Sequence, residues 1–207
     1  MAAPVQQMSP PLLVDLLPDR KHCVYTSCYC EENVWKLCDY VRTSNPSHLR
    51  NCYAVFISND DRMIPLWFQK SASSLDGAVC WDYHVIFIAG TNEMTSRVYD
   101  LDTALPFPCK FLEYYTKAVR PNKFLQKQFH RSFRVVPAEV FLEHFASDRS
   151  HMLNEDKTWK SDPPPYPCIQ TLESMNNIQD FISMESSQGW GQVLDDEEFV
   201  VMFQKCL

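Results

Sequence analysis

The chain has 207 residues, 45% of them hydrophobic and 13% aromatic, which is enough to build one core and excludes disorder throughout. Acidic residues outnumber basic ones 26 to 19, and no stretch concentrates Lys and Arg, which argues against nucleic acid or an anionic membrane as partner. Apolar runs such as Val85–Ala89 are strand-sized, far short of the roughly 18 residues a membrane span needs.

Residues 1–20 carry four prolines and no periodicity, and read as a flexible arm before a single domain over 21–207. The run Leu12–Leu17 is interrupted by Asp15 and followed by Pro18, so it is no signal peptide and a cytoplasmic and nuclear address is expected. Glu31–Val41 reads as a helix, with Val34, Leu37, Cys38 and Val41 at helical spacing and two acidic residues in the first turn. Strands are expected at Tyr53–Ser58, Ile64–Gln69, Asp82–Ala89 and Ser96–Leu101, separated by polar turns. Further helices are expected from Pro108 through Val119 and over Asn122–His130. Phe133–Val136 resembles a short strand leading into a Pro137-led helix that ends near Phe145. Ser147–Pro167 is polar and proline-rich, and the tail Asp195–Gln204 is helix-like, with Asp195 placed to cap it. A helix, a meander and then more helices predict an α+β domain, an antiparallel sheet flanked by helices.

Nine cysteines, an odd number, with several in apolar stretches, point to buried thiols in a reducing compartment. No glycine-rich phosphate loop occurs. Cys30 stands immediately before the first expected helix. There, unpaired N–H groups and the helix dipole favour a thiolate and offer donors to an oxyanion, although Glu31 and Glu32 would oppose a thiolate if they turned towards it. Cys28 is a competitor that spacing does not eliminate. His84 lies in Trp81-Asp82-Tyr83-His84-Val85, where alternation puts Asp82, His84, Ile86 and Ile88 on one face. A hairpin centred on Asn92 would place Asp100 directly opposite His84, with Asp102 as diagonal second choice, so that the carboxylate holds one ring nitrogen and leaves the other as base. Cys, His and Asp in that order suit papain-like and transglutaminase-like hydrolases. The rival from another class is zinc held by His22, Cys23, Cys28 and Cys30, but paired C-x-x-C spacing is missing, so no metal is expected.

Several blocks together resemble the protein N-terminal glutamine amidohydrolase family. They are Cys28-Tyr29-Cys30-Glu31-Glu32-Asn33, Trp81-Asp82-Tyr83-His84-Val85, Tyr99-Asp100-Leu101-Asp102, Leu105-Pro106-Phe107-Pro108, the run from Phe145 to Met152, Pro163–Cys168 and Gly189-Trp190-Gly191. The resemblance runs from about Cys23 to Gly191. It implies a cysteine hydrolase with a papain/transglutaminase-like core, which converts an N-terminal Gln side chain to Glu and feeds the N-degron route. It also implies a monomer without cofactor, and a catalytic triad of Cys30, His84 and Asp100. The choice of Cys30 over Cys28 rests on this resemblance. Glu31, Glu32 and Asp82 are the expected carboxylates for the substrate's α-ammonium, and Pro163–Pro167 the expected pocket wall. The other enzyme readings are a thiol protease and an acyl-transferring transglutaminase.

Overall fold

The computed structural model describes residues 16–74 and 77–204. Its architecture follows from strands that are apolar on both sides. In β1 (Cys52–Ser58), Ala54 and Phe56 oppose Val55 and Ile57. In β4 (His84–Ala89), Val85 and Phe87 oppose Ile86 and Ile88. All eight are buried, so both faces of the sheet need cover. With β5 (Arg97–Tyr99), β6 (Cys109–Lys110), β7 (Ser132–Pro137) and β8 (Gln192–Leu194) they form a six-stranded sheet of order β6-β5-β4-β1-β7-β8, antiparallel at every pair. A separate antiparallel ribbon joins β2 (Ile64–Trp67) to β3 (Ala78–Trp81).

One face is covered by α1 (Cys30–Ser44), α3 (Ala138–His144) and α4 (Ile178–Ile182). There Val34, Leu37, Cys38 and Val41 join Phe141, Phe145 and Phe181 over Ala54, Phe56, Val85 and Phe87. The other face is covered by the ribbon, by α2 (Phe111–Tyr114) with its π-helical continuation Tyr115–Val119, and by α5 (Asp196–Phe203). Phe199 of α5 stacks on Phe133 with ring centroids 4.0 Å apart. Asp195 caps α5 as expected: its carboxylate accepts from the Glu197 and Glu198 amides, and Glu198 reaches back to the Asp195 N–H.

The fold is therefore α+β, with an antiparallel sheet between helices, and the differences from expectation are local. Leu16 and Leu17, placed in a flexible arm by the sequence, are buried in the α1-side core, and Arg20 donates to the Thr103 and Leu105 carbonyls. Residues 1–15, the rest of that arm, lie outside the described residues, as does Cys206. The expected strand from Asp82 begins at His84, because the chain belongs to the ribbon through Trp81 and enters the main sheet only afterwards. The expected helix over Asn122–His130 is two isolated 3-10 turns. Phe124 is 72% exposed, so that segment has no apolar face to bury. Cys109 pairs with Val98 and makes a strand where a helix start was expected. The short β8 and α4 carry too little periodicity to be read from sequence.

The α4–β8 connection is tied to β7 by the buried Arg134. Its guanidinium donates to the carbonyls of Ser183 (2.8 Å), Glu185 (2.8 Å) and Trp190 (3.1 Å). Gly189 in this loop has φ +71°, and a Cβ there would lie 2.1 Å from the Asp180 carbonyl oxygen. Gly189→Ala is therefore expected to lower unfolding free energy in urea by about 2 kcal/mol or more; a loss below ~0.5 kcal/mol would contradict this reading of the loop.

Candidate active site

The first turn of α1 is held from the side rather than capped from below. Tyr29, the N-cap residue, makes no side-chain cap bond. Instead the Asn33 amide reaches back seven residues: its Oδ1 accepts from the Thr26 N–H and its Nδ2 donates to the Thr26 carbonyl, both at 2.8 Å. This brace fixes the loop that carries Cys28, which has a left-handed φ of 68°. Cys30 is the first residue of α1 and is 8% exposed. Its thiol donates to Glu31 Oε2 at 3.6 Å. Burial, and then the Glu31 and Asp102 charges, push that thiol well above its ordinary pKa, while the Val85 amide, donating to the sulfur, pulls the other way.

Both glutamates of the first turn are fully buried, which the sequence did not anticipate. Glu32 is clamped by Arg149, with Nε to Oε1 at 2.8 Å and Nη2 to Oε2 at 2.9 Å. The same guanidinium donates to the Pro164 carbonyl and lies 5.2 Å from the Tyr166 ring centroid, so the proline segment is anchored behind Glu32. Glu31 accepts from the Tyr83 hydroxyl at 3.0 Å, and its Oε1 stands 3.5 Å from His151 Nε2.

His84 is the first residue of β4 and is completely buried, stacked on Trp81. Its Nε2 lies 3.1 Å from Asp100 Oδ1, while Nδ1 is buried without a hydrogen-bond partner. Asp100 is also engaged by the Asp102 N–H (2.9 Å, on Oδ1) and the Tyr114 hydroxyl (2.8 Å, on Oδ2). Burial alone would lower His84, but the Asp100 charge and hydrogen bond outweigh it and hold the imidazole above its ordinary value. Burial would raise Asp100, and His84 with the Asp102 and Tyr114 donors holds it below the usual range instead.

The expected register is corrected. Phe87 pairs with Tyr99 and Ile88 with Val98, so the hairpin centres on residue 93, not 92. Carried past its last rung, that ladder puts 102 opposite 84, and the His84–Asp100 contact is a diagonal on the same face.

A cavity of about 300 Å³ opens at Cys30, and neither His84 nor Asp100 is among its lining residues. Cys30, Asp82, Asp102, His151, Met152 and Lys160 are on its wall, as is Cys28. Of the three carboxylates expected to meet a substrate ammonium, only Asp82 lines it; Glu31 and Glu32 lie behind. Pro163–Pro167 is not part of the wall either. The sequence reading missed Arg149, Tyr83, Tyr114 and His151. Tyr83, Arg149 and His151 stood in resembling blocks without a role, and nothing in spacing marks Tyr114. Among the described residues, the three-ligand grouping is His84, Asp100 and Asp102, not the set from His22 to Cys30. Every oxygen of Asp100 there already accepts a hydrogen bond. Among the described residues, no helix is long and apolar enough to cross a membrane.

The structure thus brings Cys30, on a helix start, to the wall of this cavity, and pairs His84 with Asp100 in the interior outside its lining. The model of the N-terminal glutamine amidase family matches residues 25–203, and the chain belongs to that family. It is 50% identical over 186 residues to the protein N-terminal glutamine amidohydrolase of Bos taurus, covering 90% of this chain and 89% of that one. The human protein of that name is 49% identical over 90% of each chain, and the Danio rerio protein 47% identical over 91% of this chain and 93% of its own.

Removing one partner of the Glu32–Arg149 pair leaves a buried charge alone. Arg149→Met is expected to cost about 3–5 kcal/mol of stability in denaturant titration, and a cost below ~1 kcal/mol would show the pair is not holding the segment.

Proposed function

We propose that the chain deamidates the side chain of N-terminal glutamine in peptides and proteins, giving glutamate and ammonia. The observation that carries this is the buried His84–Asp100 contact, which leaves the second ring nitrogen unpaired, together with a pocket lined by Cys30, in a chain of this family. In this reading Cys30, His84 and Asp100 form a catalytic triad on a papain/transglutaminase-like core. His84 Nδ1 takes the Cys30 proton as sulfur bonds to Cδ of the substrate amide, working around the first residues of β4. The oxyanion is received by first-turn amides of α1, which Tyr29 leaves without a side-chain cap. Collapse breaks the C–N bond, and the nitrogen leaves as ammonia with the proton from His84. Water, giving its proton to His84, then cleaves the thioester to release glutamate and restore the thiol. No step calls on a cofactor.

The buried thiol held above its ordinary pKa favours general-base attack over a standing thiolate. For the α-ammonium, Asp82 is the best placed of the three expected carboxylates, since it alone reaches the cavity. The new N-terminal glutamate would feed an N-degron route, with the enzyme acting as a monomer in cytoplasm and nucleus.

The test is ammonia release from peptides beginning with Gln, Asn and acetyl-Gln, with product masses. Release from the Gln peptide alone, with the backbone intact, is expected. Backbone cleavage or amine incorporation would favour the protease or the transglutaminase instead. Cys30→Ser should reduce turnover by more than about a thousandfold while Cys28→Ser keeps most of it; an active Cys30→Ser would refute the assignment. Because attack needs neutral His84, kcat/KM should fall as pH drops through a value above that of ordinary imidazole. Asp100→Asn should cut the rate by orders of magnitude and move that limb to lower pH; an unmoved limb would contradict the role of Asp100.

A further inference from the structure

One carboxylate on the cavity wall takes no part in the reaction as described. Asp102 has ligand atoms that group with those of His84 and Asp100 within 4.8 Å of one another. Its Oδ1 accepts from the Tyr25 hydroxyl at 2.6 Å, and no described residue donates to Oδ2. Asp100 is buried and both its oxygens are engaged, whereas Asp102 is partly exposed and lines the cavity with Cys30. Burial pushes the Asp102 carboxyl above the ordinary value, with Asp100 adding to this and His84, the Tyr25 hydroxyl and Lys70 opposing it; Arg20 lies behind, and the Asp102 charge acts on both Cys30 and His84.

A free carboxylate oxygen is an acceptor only. Beside the attacked carbon it complements the NH2 end of a primary carboxamide, which offers two donors, and it opposes any oxygen placed there. The first-turn amides of α1 are donors and suit the other end. The two sets of groups thus distinguish the nitrogen from the oxygen of a nearly symmetrical amide. After hydrolysis the product carries a carboxylate where the amide stood, and that carboxylate meets the Asp102 charge.

We propose that Asp102 Oδ2 accepts an N–H from the substrate's side-chain carboxamide, so that the pocket selects the neutral amide and expels the carboxylate product. This rests on the deamidation reading of the pocket and adds to it the means of telling substrate from product. A site built to receive a donor rejects the analogue that lacks it, because its own polar group is then left unpaired.

The test measures binding separately from turnover. In the Cys30→Ser protein, calorimetry with two peptides differing only in an initial Gln or Glu should show the Gln peptide bound about tenfold tighter or more. Adding Asp102→Asn, which keeps an acceptor for Tyr25 but replaces the anion, should weaken the Gln peptide about tenfold and tighten the Glu peptide. Tyr25→Phe, which removes the Oδ1 partner and leaves the charge, should keep the original order. The inference is overturned if Asp102→Asn moves both peptides in the same direction, leaves their order intact, or is matched by Tyr25→Phe. Wild-type protein that releases no ammonia from the Gln peptide would instead sink the deamidase reading, while these binding constants would still decide the role of Asp102.

Discussion

The contact between His84 Nε2 and Asp100 Oδ1, 3.1 Å long and shut away from water, is the constraint on which the site depends. In a low-dielectric interior a lone carboxylate would take up a proton and a lone imidazole would lose one, each to avoid carrying charge. Together, with Tyr114 and the Asp102 amide donating to the same carboxylate, they reverse both tendencies. One ring nitrogen is thereby committed and the other left unpaired, which is the condition a directional base requires. The sheet makes this possible because β4 begins at His84, and the chain after β5 turns at Asp100 towards the same end.

A second constraint lies at the start of α1. Two adjacent buried glutamates are costly unless each finds compensation, and they find it in different ways. Glu32 takes a bidentate arginine, and that arginine holds the proline segment, so a charge in the first turn organises a loop more than a hundred residues away. Glu31 takes a tyrosine hydroxyl and the Cys30 thiol, with His151 nearby. Burial first, and then the Glu31 charge, push the Cys30 thiol above its ordinary pKa.

What could be read from the sequence was whatever local periodicity specifies. The spacing of Val34, Leu37, Cys38 and Val41 marked α1, strand-like runs at Tyr53–Ser58 and Asp82–Ala89 marked the two central strands without showing that both their faces are buried, and Asp195 marked the cap of α5. The His–Asp pairing was anticipated for a partly mistaken reason. Symmetry about Asn92 assumes a regular turn, but the Asn92 carbonyl accepts from both the Thr95 and Ser96 amides, and its side chain accepts from Met94 and Thr95. This wider turn moves the centre by one residue and every facing pair by two, which keeps the face and changes the partner. The pairing of Glu32 with Arg149 and of Tyr114 with Asp100 had no local signal at all, because long-range side-chain contacts leave no period in a single chain. Pocket membership was equally hidden: among three acidic candidates, only the fold decides that Asp82 lines the cavity and that Glu31 and Glu32 do not.

The central claim is that sulfur at position 30 forms a covalent bond to the substrate's side-chain carbonyl carbon. Rapid acid quenching during turnover of a Gln-initiated peptide, followed by proteolysis and mass spectrometry, tests it directly. The account predicts a transient adduct of the substrate's mass less ammonia on the fragment containing Cys30, attached at that sulfur. Steady ammonia release with the adduct on Cys28, or with no adduct at any time point, would contradict it.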